Sequence, residues 1–133
     1  MSEYEWTPID DEQFRVETDH ARRTVEFMVA ALVSGARSQA LTFCHPSAHE
    51  QWILAVDDLA DVLTERENIG IGTRAYSVTQ FPERRYYTVV DGVTEARGRN
   101  HQDTDLLIGV DSHEETGRWL VVESRLRGGQ VIV

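Results

Sequence analysis

The chain has 133 residues, 41% of them hydrophobic, and carries 23 Asp and Glu against 13 basic residues, for a net charge of -10. Every basic residue is Arg, which excludes chemistry that needs a lysine amine, such as Schiff-base catalysis and Walker-type phosphate binding. The acidic excess argues against nucleic acid and anionic membranes as partners. We expect a cytoplasmic protein, because the lone Cys44 has no internal disulfide partner and neither a secretory nor a membrane-spanning segment is recognisable.

The first half of the chain has helical signals. Residues 1–18 form a lead-in segment in which Thr7 and Pro8 match the N-cap and first position of a short helix. From Asp19 onward, apolar residues recur at spacings of three and four and predict an amphipathic helix that ends at Ser34-Gly35. The residues of this stripe are Ala21, Val25, Met28, Val29, Leu32 and Val33.

A second helix is expected over Ala36–Cys44, closed by His45-Pro46 because a residue before proline avoids helical geometry. The next stretch has two interpretations. Gln51–Ala55 matches a short strand. Four residues that overlap and follow it instead match a helical stripe, namely Trp52, Val56, Leu59 and Leu63. We favour the strand, followed by a helix that Asp57 caps and that runs to about Arg66.

The second half of the chain is rich in β-branched and aromatic residues, which predicts strands. The expected strands are Ala75–Phe81, Arg84–Val90, Val93–Arg99, Asp105–Val110 and Arg118–Leu126, with Asp91-Gly92 as a hairpin turn. Helices followed by a strand meander give an α+β fold, in which N-terminal helices cover one face of a curved antiparallel sheet. Residues 19–127 form the domain and 128–133 a tail. Alternation predicts that six residues face the helices, namely Leu106, Ile108, Val110, Leu120, Val122 and Leu126.

Two of these segments carry a resemblance to a known family. Ala31–Gly35 followed by Ala40–Pro46 resembles the helix-Gly-helix-His-Pro opening of the nuclear transport factor 2-like superfamily, which includes ketosteroid isomerases and SnoaL-like cyclases. The resemblance extends over Asp19–Leu126 and implies a cone-shaped, cystatin-like roll with an internal cavity. Because this scaffold carries isomerases, dehydratases, epoxide hydrolases and non-catalytic proteins, it does not specify a function.

Several residues are candidates for the cavity that the resemblance implies. In catalytic relatives an acid near the end of the first strand acts as a general base, and Asp57 lies near that point. The Gly-containing loop that follows this acid in relatives is missing here, which favours a helix cap as the role of Asp57. Tyr76 and Tyr87 have inward-facing parity, and Ser124 is polar on an otherwise apolar face. We predict that these three residues and Trp52 contact a small organic ligand. The simpler alternative for the two tyrosines is that they are core aromatics whose hydroxyls reach the rim.

The Asp91-Gly92 hairpin predicts one further site. It places Tyr86 opposite Arg97 and Arg84 opposite Arg99, and like charges on opposing strands are unfavourable. An anion would relieve the repulsion, so Arg84, Arg97 and Arg99 form a candidate anion site, with solvated surface charges as the simpler alternative. No metal site is expected, because Pro46 interrupts the His45-x-x-x-His49 spacing, and no cofactor is expected either.

These observations predict a small-molecule-binding protein, with a possible acid-base variant in which Asp57 acts as base for an isomerase or cyclase reaction. We expect a homodimer through the outer sheet face, on which Trp119 is predicted to lie. The alternative is a non-catalytic assembly or inhibitor protein whose acidic surface docks a basic protein partner.

Overall fold

The computed structural model describes residues 6–9, 14–65, 69–90 and 106–126, and these form an α+β fold, as predicted. Three helices pack on an antiparallel sheet. The helices are α1 (Phe14–Val33), α2 (Arg37–Leu41) and α3 (His49–Thr64), with a short 3-10 turn at Pro46–Ala48. The described strands are β1 (Thr7–Pro8), β2 (Gly70–Val78), β3 (Phe81–Val90), β4 (Leu106–Ser112) and β5 (Trp119–Leu126), in the spatial order β1-β2-β3-β4-β5.

Helix α1 confirms the predicted amphipathic helix, although it begins at Phe14, within the expected lead-in segment. Most of its apolar stripe is buried, whereas Val33 is 46% exposed. The helix is followed by Gly35, whose φ of 82° lies in the left-handed region where glycine has no steric cost. The predicted junction of two helices at a glycine is therefore confirmed.

The predicted helix start at Thr7-Pro8 is wrong, because these residues form strand β1 and pair with Ser77 and Tyr76 of β2. The Ile9 N–H then donates to the Ala75 carbonyl at 2.9 Å. Proline is compatible with an edge strand, since its fixed φ suits extended backbone and its missing N–H is not needed there. Pairing with β2 thus overrides the local capping signal.

The favoured strand at Gln51–Ala55 is also wrong, because α3 is continuous from His49 to Thr64. The helical stripe in this region is buried, with Trp52, Val56, Leu59 and Leu63 at most 5% exposed. Ile53 and Leu54, which made the segment look like a buried strand, are instead 52% and 86% exposed. Asp57 consequently lies in the middle of a helix and does not cap one.

The strands largely follow the predicted runs, with shifted boundaries. The turn between β2 and β3 lies at Thr79-Gln80, so Phe81 starts β3 instead of ending β2. Strand β2 begins at Gly70, five residues before the predicted start at Ala75. The predicted strand Val93–Arg99, the Asp91-Gly92 hairpin and the tail 128–133 lie outside the described residues.

Strand β5 contains a β-bulge that changes which side chains face the helices. Gly109 pairs with Glu123 but Val110 pairs with Val121, so Val122 is the extra residue. Val121 and Trp119 therefore pack in the helix-facing core, in place of the predicted Val122 and Leu120. The prediction holds on the other side of the bulge, where Leu126 packs against that core, and for Leu106, Ile108 and Val110 of β4.

A short connection ties the helices to the edge of the sheet. Cys44 forms a parallel bridge with Val121, with the Val121 N–H donating to the Phe43 carbonyl and the His45 N–H to the Val121 carbonyl, both at 2.8 Å. On α1, the Thr24 hydroxyl donates to the Trp119 carbonyl at 2.8 Å. The start of β5 is thereby held against both α1 and the segment after α2. Within the described ranges, no helix is both long and apolar enough to span a bilayer.

The burial pattern of α3 gives a direct test of its helical assignment. Leu59→Ala should lower the free energy of unfolding by about 2–5 kcal/mol, because it opens a cavity in the core. Leu54→Ala should change it by about 0.5 kcal/mol or less, because the side chain is in solvent. Urea denaturation of the two variants measures both values. Equal losses would contradict the described orientation of α3.

Candidate functional site

The candidate base Asp57 is not in a cavity. It lies on the outward face of α3, its side chain is 60% exposed, and its Oδ1 is 3.0 Å from Nε of Arg37 at the start of α2. A general base inside an apolar cavity needs desolvation to bring its pKa into a useful range. Asp57 has no such surroundings, and its contact is a solvent-exposed ion pair between α2 and α3.

The four predicted ligand contacts are buried but do not converge on one cavity. Tyr87 and Trp52 belong to the core between the helices and the sheet, where both are fully buried. Tyr76 belongs to a second cluster on the opposite face of the sheet. The pairing of Ala75 with Tyr87 and of Tyr76 with Tyr86 explains this, because neighbouring residues of a strand point to opposite faces.

The space between helices and sheet is filled by large side chains. Met28, Trp52, Leu59, Leu63 and Tyr87 have no exposed surface there. The Trp52 indole N–H points to the carbonyl of the bulge residue Val122, at 3.4 Å. Ser124, paired with Ile108 on this face, is also fully buried, and its hydroxyl has no hydrogen-bond partner within the described part of the chain.

The opposite face of the sheet carries a buried polar network. A cross-strand row runs from Tyr76 through Tyr86 and Gly109 to Glu123. The Tyr86 ring lies over Gly109, because a Cβ built there would be only 2.8 Å from Tyr86 Cε1. The Tyr86 side chain thereby extends across β4, and its hydroxyl donates a hydrogen bond to Glu123 on β5. Trp6 packs edge-on against the same ring, with centroids 4.9 Å apart.

Glu123 is the centre of this network. Its Oε1 is 3.2 Å from Nη1 of Arg84, and its Oε2 accepts from Nη2 of Arg125 at 3.0 Å. Arg84 also binds Asp111 with two hydrogen bonds, of 3.0 Å from Nε and 3.1 Å from Nη2. Two guanidinium groups thus face two carboxylates, and this balance of charge is what makes their burial tolerable.

The network shifts the pKa of two of its members. Burial raises the pKa of the Tyr86 phenol above its ordinary value, and the hydrogen bond to Glu123 raises it further. Burial acts to lower the pKa of the Arg84 guanidinium, but the hydrogen bonds to Asp111 and Tyr86 outweigh it and the pKa is raised. At neutral pH the phenol is therefore a hydrogen-bond donor and Arg84 a fixed cation.

The predicted pairing of Tyr86 with Arg97 is not observed. Tyr86 pairs with Tyr76 on one side and Gly109 on the other, so both neighbouring positions are occupied. Arg84 is held by the carboxylates of Asp111 and Glu123. Arg97 and Arg99 lie outside the described residues, so of the candidate anion site only Arg84 has a described position.

A cleft of about 960 Å³ opens at the end of the sheet where Arg84 and Asp111 lie. It is bounded by β3, the β2–β3 turn, the β4–β5 loop, and residues from α1 and the segment after α2. Its lining residues are His20, His45, Gln80, Phe81, Pro82, Glu83, Arg84, Arg85, Asp111, Ser112, Gly117 and Trp119. None of the predicted ligand contacts is among these residues, and Arg84 is the one predicted anion residue whose position the structure describes.

Charged groups lie against aromatic rings in this cleft. The Arg84 guanidinium carbon is 4.0 Å from the centre of the Phe81 ring, and that of Arg85 is 5.8 Å from the Trp119 ring. Cations near aromatic faces are stabilised by the ring quadrupole. Arg85 is only 8% exposed and also donates to the Pro82 carbonyl at 3.3 Å. The cleft therefore presents aromatic surfaces next to positive charges.

His45 adds a hydrogen-bonding group of defined tautomer. Its Nδ1 accepts from the Ser47 N–H at 3.2 Å, which caps the 3-10 turn. Because Nδ1 accepts this bond, the neutral ring carries its proton on Nε2, which is then a donor. The His45 ring also meets His113 edge-on, with centroids 5.2 Å apart. His45 thus both caps the 3-10 turn and lines the cleft.

Sequence reasoning missed the cleft because its residues come from five separate segments. One signal was present: Arg84 and Arg85, with Phe81 three residues before Arg84, put an unusual density of charge beside an aromatic residue in a strand. Asp111 and Glu123, the partners of Arg84, are distant in sequence, and their contact depends on strand register. In the part of the chain that the structure describes, no three His, Cys, Asp or Glu side chains are grouped as a metal ion would require.

Comparisons with protein-family models, curated proteins and solved structures find no match to this chain. The function therefore has to be argued from the geometry of the cleft and of the surface.

Gly109→Ala tests the crossing of Tyr86 over β4. The added Cβ would contact Tyr86 Cε1 at 2.8 Å and Arg84 Cδ at 3.2 Å, so we expect a loss of about 1–3 kcal/mol in unfolding free energy. Gly70→Ala is the matched control, because nothing lies within 4 Å of a Cβ there, and it should be neutral or slightly stabilising. Chemical denaturation compares them. A neutral Gly109→Ala would refute the described position of the ring.

The buried Cys44 thiol gives a pH-dependent test. Burial raises its pKa from 9.0 to about 12, so between these values the unfolded chain has lost a proton that the folded chain retains. Stability must then fall as pH rises through this range, by up to about 1.4 kcal/mol per pH unit. We expect Cys44→Ala to lose less stability than the unmutated chain between pH 8.5 and 10.5 in urea denaturation. Parallel curves for the two proteins would contradict this.

Proposed function

We propose that this protein is a small-molecule-binding protein of the nuclear transport factor 2-like type, whose ligand occupies the cleft at the end of the sheet. Support for the fold type comes from element order. A long helix, a glycine, a short helix and His-Pro follow one another as in the family opening that the sequence resembles, and an antiparallel sheet follows the helices. The short strand expected around Trp52 is replaced by the continuous helix α3. The α+β class itself is observed, and the cone-shaped roll is part of the proposal.

The observation that carries the ligand proposal is the composition of the cleft. A volume of about 960 Å³ is in the range of sites that hold drug-sized molecules. Its walls combine two aromatic rings with two nearly buried arginines and a carboxylate whose position a bidentate ion pair fixes. Such a combination suits a polar organic molecule with a flat apolar part.

The proposed roles follow from position. Phe81 and Trp119 supply apolar surface, and Arg85 and the His45 Nε2–H supply hydrogen-bond donors. Asp111 supplies an acceptor whose orientation Arg84 fixes. The interior between helices and sheet has no comparable role in this proposal, because Trp52, Tyr87 and their neighbours fill it. Catalysis by Asp57 is not part of the proposal either, since that residue is on the outer surface of α3.

The predicted homodimer through the outer sheet face is not part of this proposal. The dimer expectation depended on Trp119 facing outward, whereas Trp119 packs on the helix-facing core. The opposite face of the sheet is itself buried at Tyr86, Leu107 and Arg125. Neither feature supports pairing of two copies through this face.

Filling the cleft tests the proposal. Ser112 is an exposed cleft residue at the end of β4, so Ser112→Trp should occupy the cleft without disturbing the core. We expect native mass spectrometry of the unmutated protein, after incubation with a metabolite extract, to show a bound small molecule. The Ser112→Trp variant should lose it.

Ser38→Trp is the matched control, because Ser38 is exposed on α2 and does not line the cleft. It should retain the molecule. Retention by Ser112→Trp, or equal loss by both variants, would show that binding does not occur in the cleft, and the absence of any bound molecule on the unmutated chain would reject the proposal.

A further inference from the structure

The outward face of α3 has an unusual pairing of apolar and charged residues. Leu54 is 86% exposed and Ile53 52% exposed, although the other face of the same helix is fully packed in the core. An isolated exposed leucine is common on protein surfaces and needs no explanation. What distinguishes this one is the charge that surrounds it.

Helical spacing places Leu54 within a group of carboxylates. Glu50 is one turn before it, Asp57 and Asp58 are one turn after it, and Asp61 continues the same row. All four acids are exposed, and α3 contains no arginine. Asp57 forms an ion pair with Arg37 of α2, at 3.0 Å between Oδ1 and Nε and with both side chains more than half exposed. The remaining acids leave this face strongly negative.

We propose that this face, formed by Glu50, Ile53, Leu54, Asp57, Asp58 and Asp61, docks a basic amphipathic helix of another protein. The two apolar side chains would pack against the apolar stripe of that helix, and the surrounding carboxylates would pair with Arg or Lys beside that stripe. Helices commonly recognise one another in this way, with apolar anchors and flanking charges that select the partner.

Charge selects this occupant from the alternatives. A second copy would bring the same acidic face, or another part of a chain with net charge -10, and like charges across an interface are unfavourable. Anionic lipid surfaces and nucleic acids are repelled for the same reason. A basic helix is the partner whose charge and apolar stripe both match. The proposal does not depend on the cleft, which is lined by other residues.

The test uses a defined probe, a fluorescently labelled 18-residue amphipathic helix of Leu and Arg. We expect it to bind the unmutated protein with an affinity that falls as salt is added, whereas the same helix with Glu in place of Arg should not bind. Leu54→Ser leaves the net charge unchanged and should weaken binding about tenfold or more in fluorescence anisotropy. Val33→Ser, at an exposed apolar residue of α1, should have no effect.

Two double variants distinguish the contribution of this face to probe binding from that of the overall negative charge. Asp58→Asn with Asp61→Asn should weaken binding clearly more than Glu114→Gln with Glu115→Gln, which removes the same charge from the β4–β5 loop. Equal effects of the two pairs, or of Leu54→Ser and Val33→Ser, would overturn the proposal. A dimer in sedimentation that Leu54→Ser dissociates would overturn it too, because the occupant would then be a second copy. Ser112→Trp should bind the probe normally, which separates this result from failure of the cleft proposal.

Discussion

The carboxylate of Glu123 is the point at which three strands are joined on the face of the sheet opposite the helices. Arg84 and Tyr86 reach it from β3 and Arg125 from its own strand, while Gly109 of β4 leaves room for the Tyr86 ring to pass. Removing one charged member would leave a buried charge without its counterpart. Such a loss destabilises a protein far more than replacing the whole ion pair by apolar residues. The network therefore fixes the register of β3, β4 and β5 as well as their contacts.

That register has a direct effect on the cleft. Arg84, which itself lines the cleft, is held between Glu123, inside the network, and Asp111, at the cleft wall, so the position of Asp111 depends on Glu123, which does not line the cleft. The bulge at Val122 determines the position of Trp119, which lines the cleft on the β5 side. By changing the parity of β5, it places Glu123 on the network face and Trp119 on the helix-facing side, near Arg85. The bulge in β5 thus determines the positions of both Glu123 in the network and Trp119 in the cleft.

The charged groups of the described residues lie partly in the buried network and partly at the surface. The space between helices and sheet is closed by large side chains, and the buried charges on the other face are satisfied by one another. Among the described residues, the cleft at the end of the sheet and the outer side of α3 both present charged side chains to solvent. These two places differ in character, since the cleft combines both signs of charge with aromatic rings and the helix face combines carboxylates with aliphatic side chains.

Local sequence pattern was sufficient for α1, for the glycine that follows it and for most strand segments, because spacing of apolar residues and turn chemistry act over a few residues. It was insufficient where two periodicities overlapped. Exposed Ile53 and Leu54 completed an apolar run that looked like a strand, and only packing of Trp52, Val56 and Leu59 against the core establishes the helix.

The candidate sites also depend partly on local sequence and partly on tertiary structure. The sequence alone determined the acidic, lysine-free composition, the α+β class and the residue types at hand. Tertiary structure decided which of them meet: Tyr76 and Tyr87 separate onto opposite faces, while Arg84 meets Asp111 and Glu123. Strand register and a bulge control these encounters, and both result from the packing of the whole sheet, so no short stretch of sequence contains them.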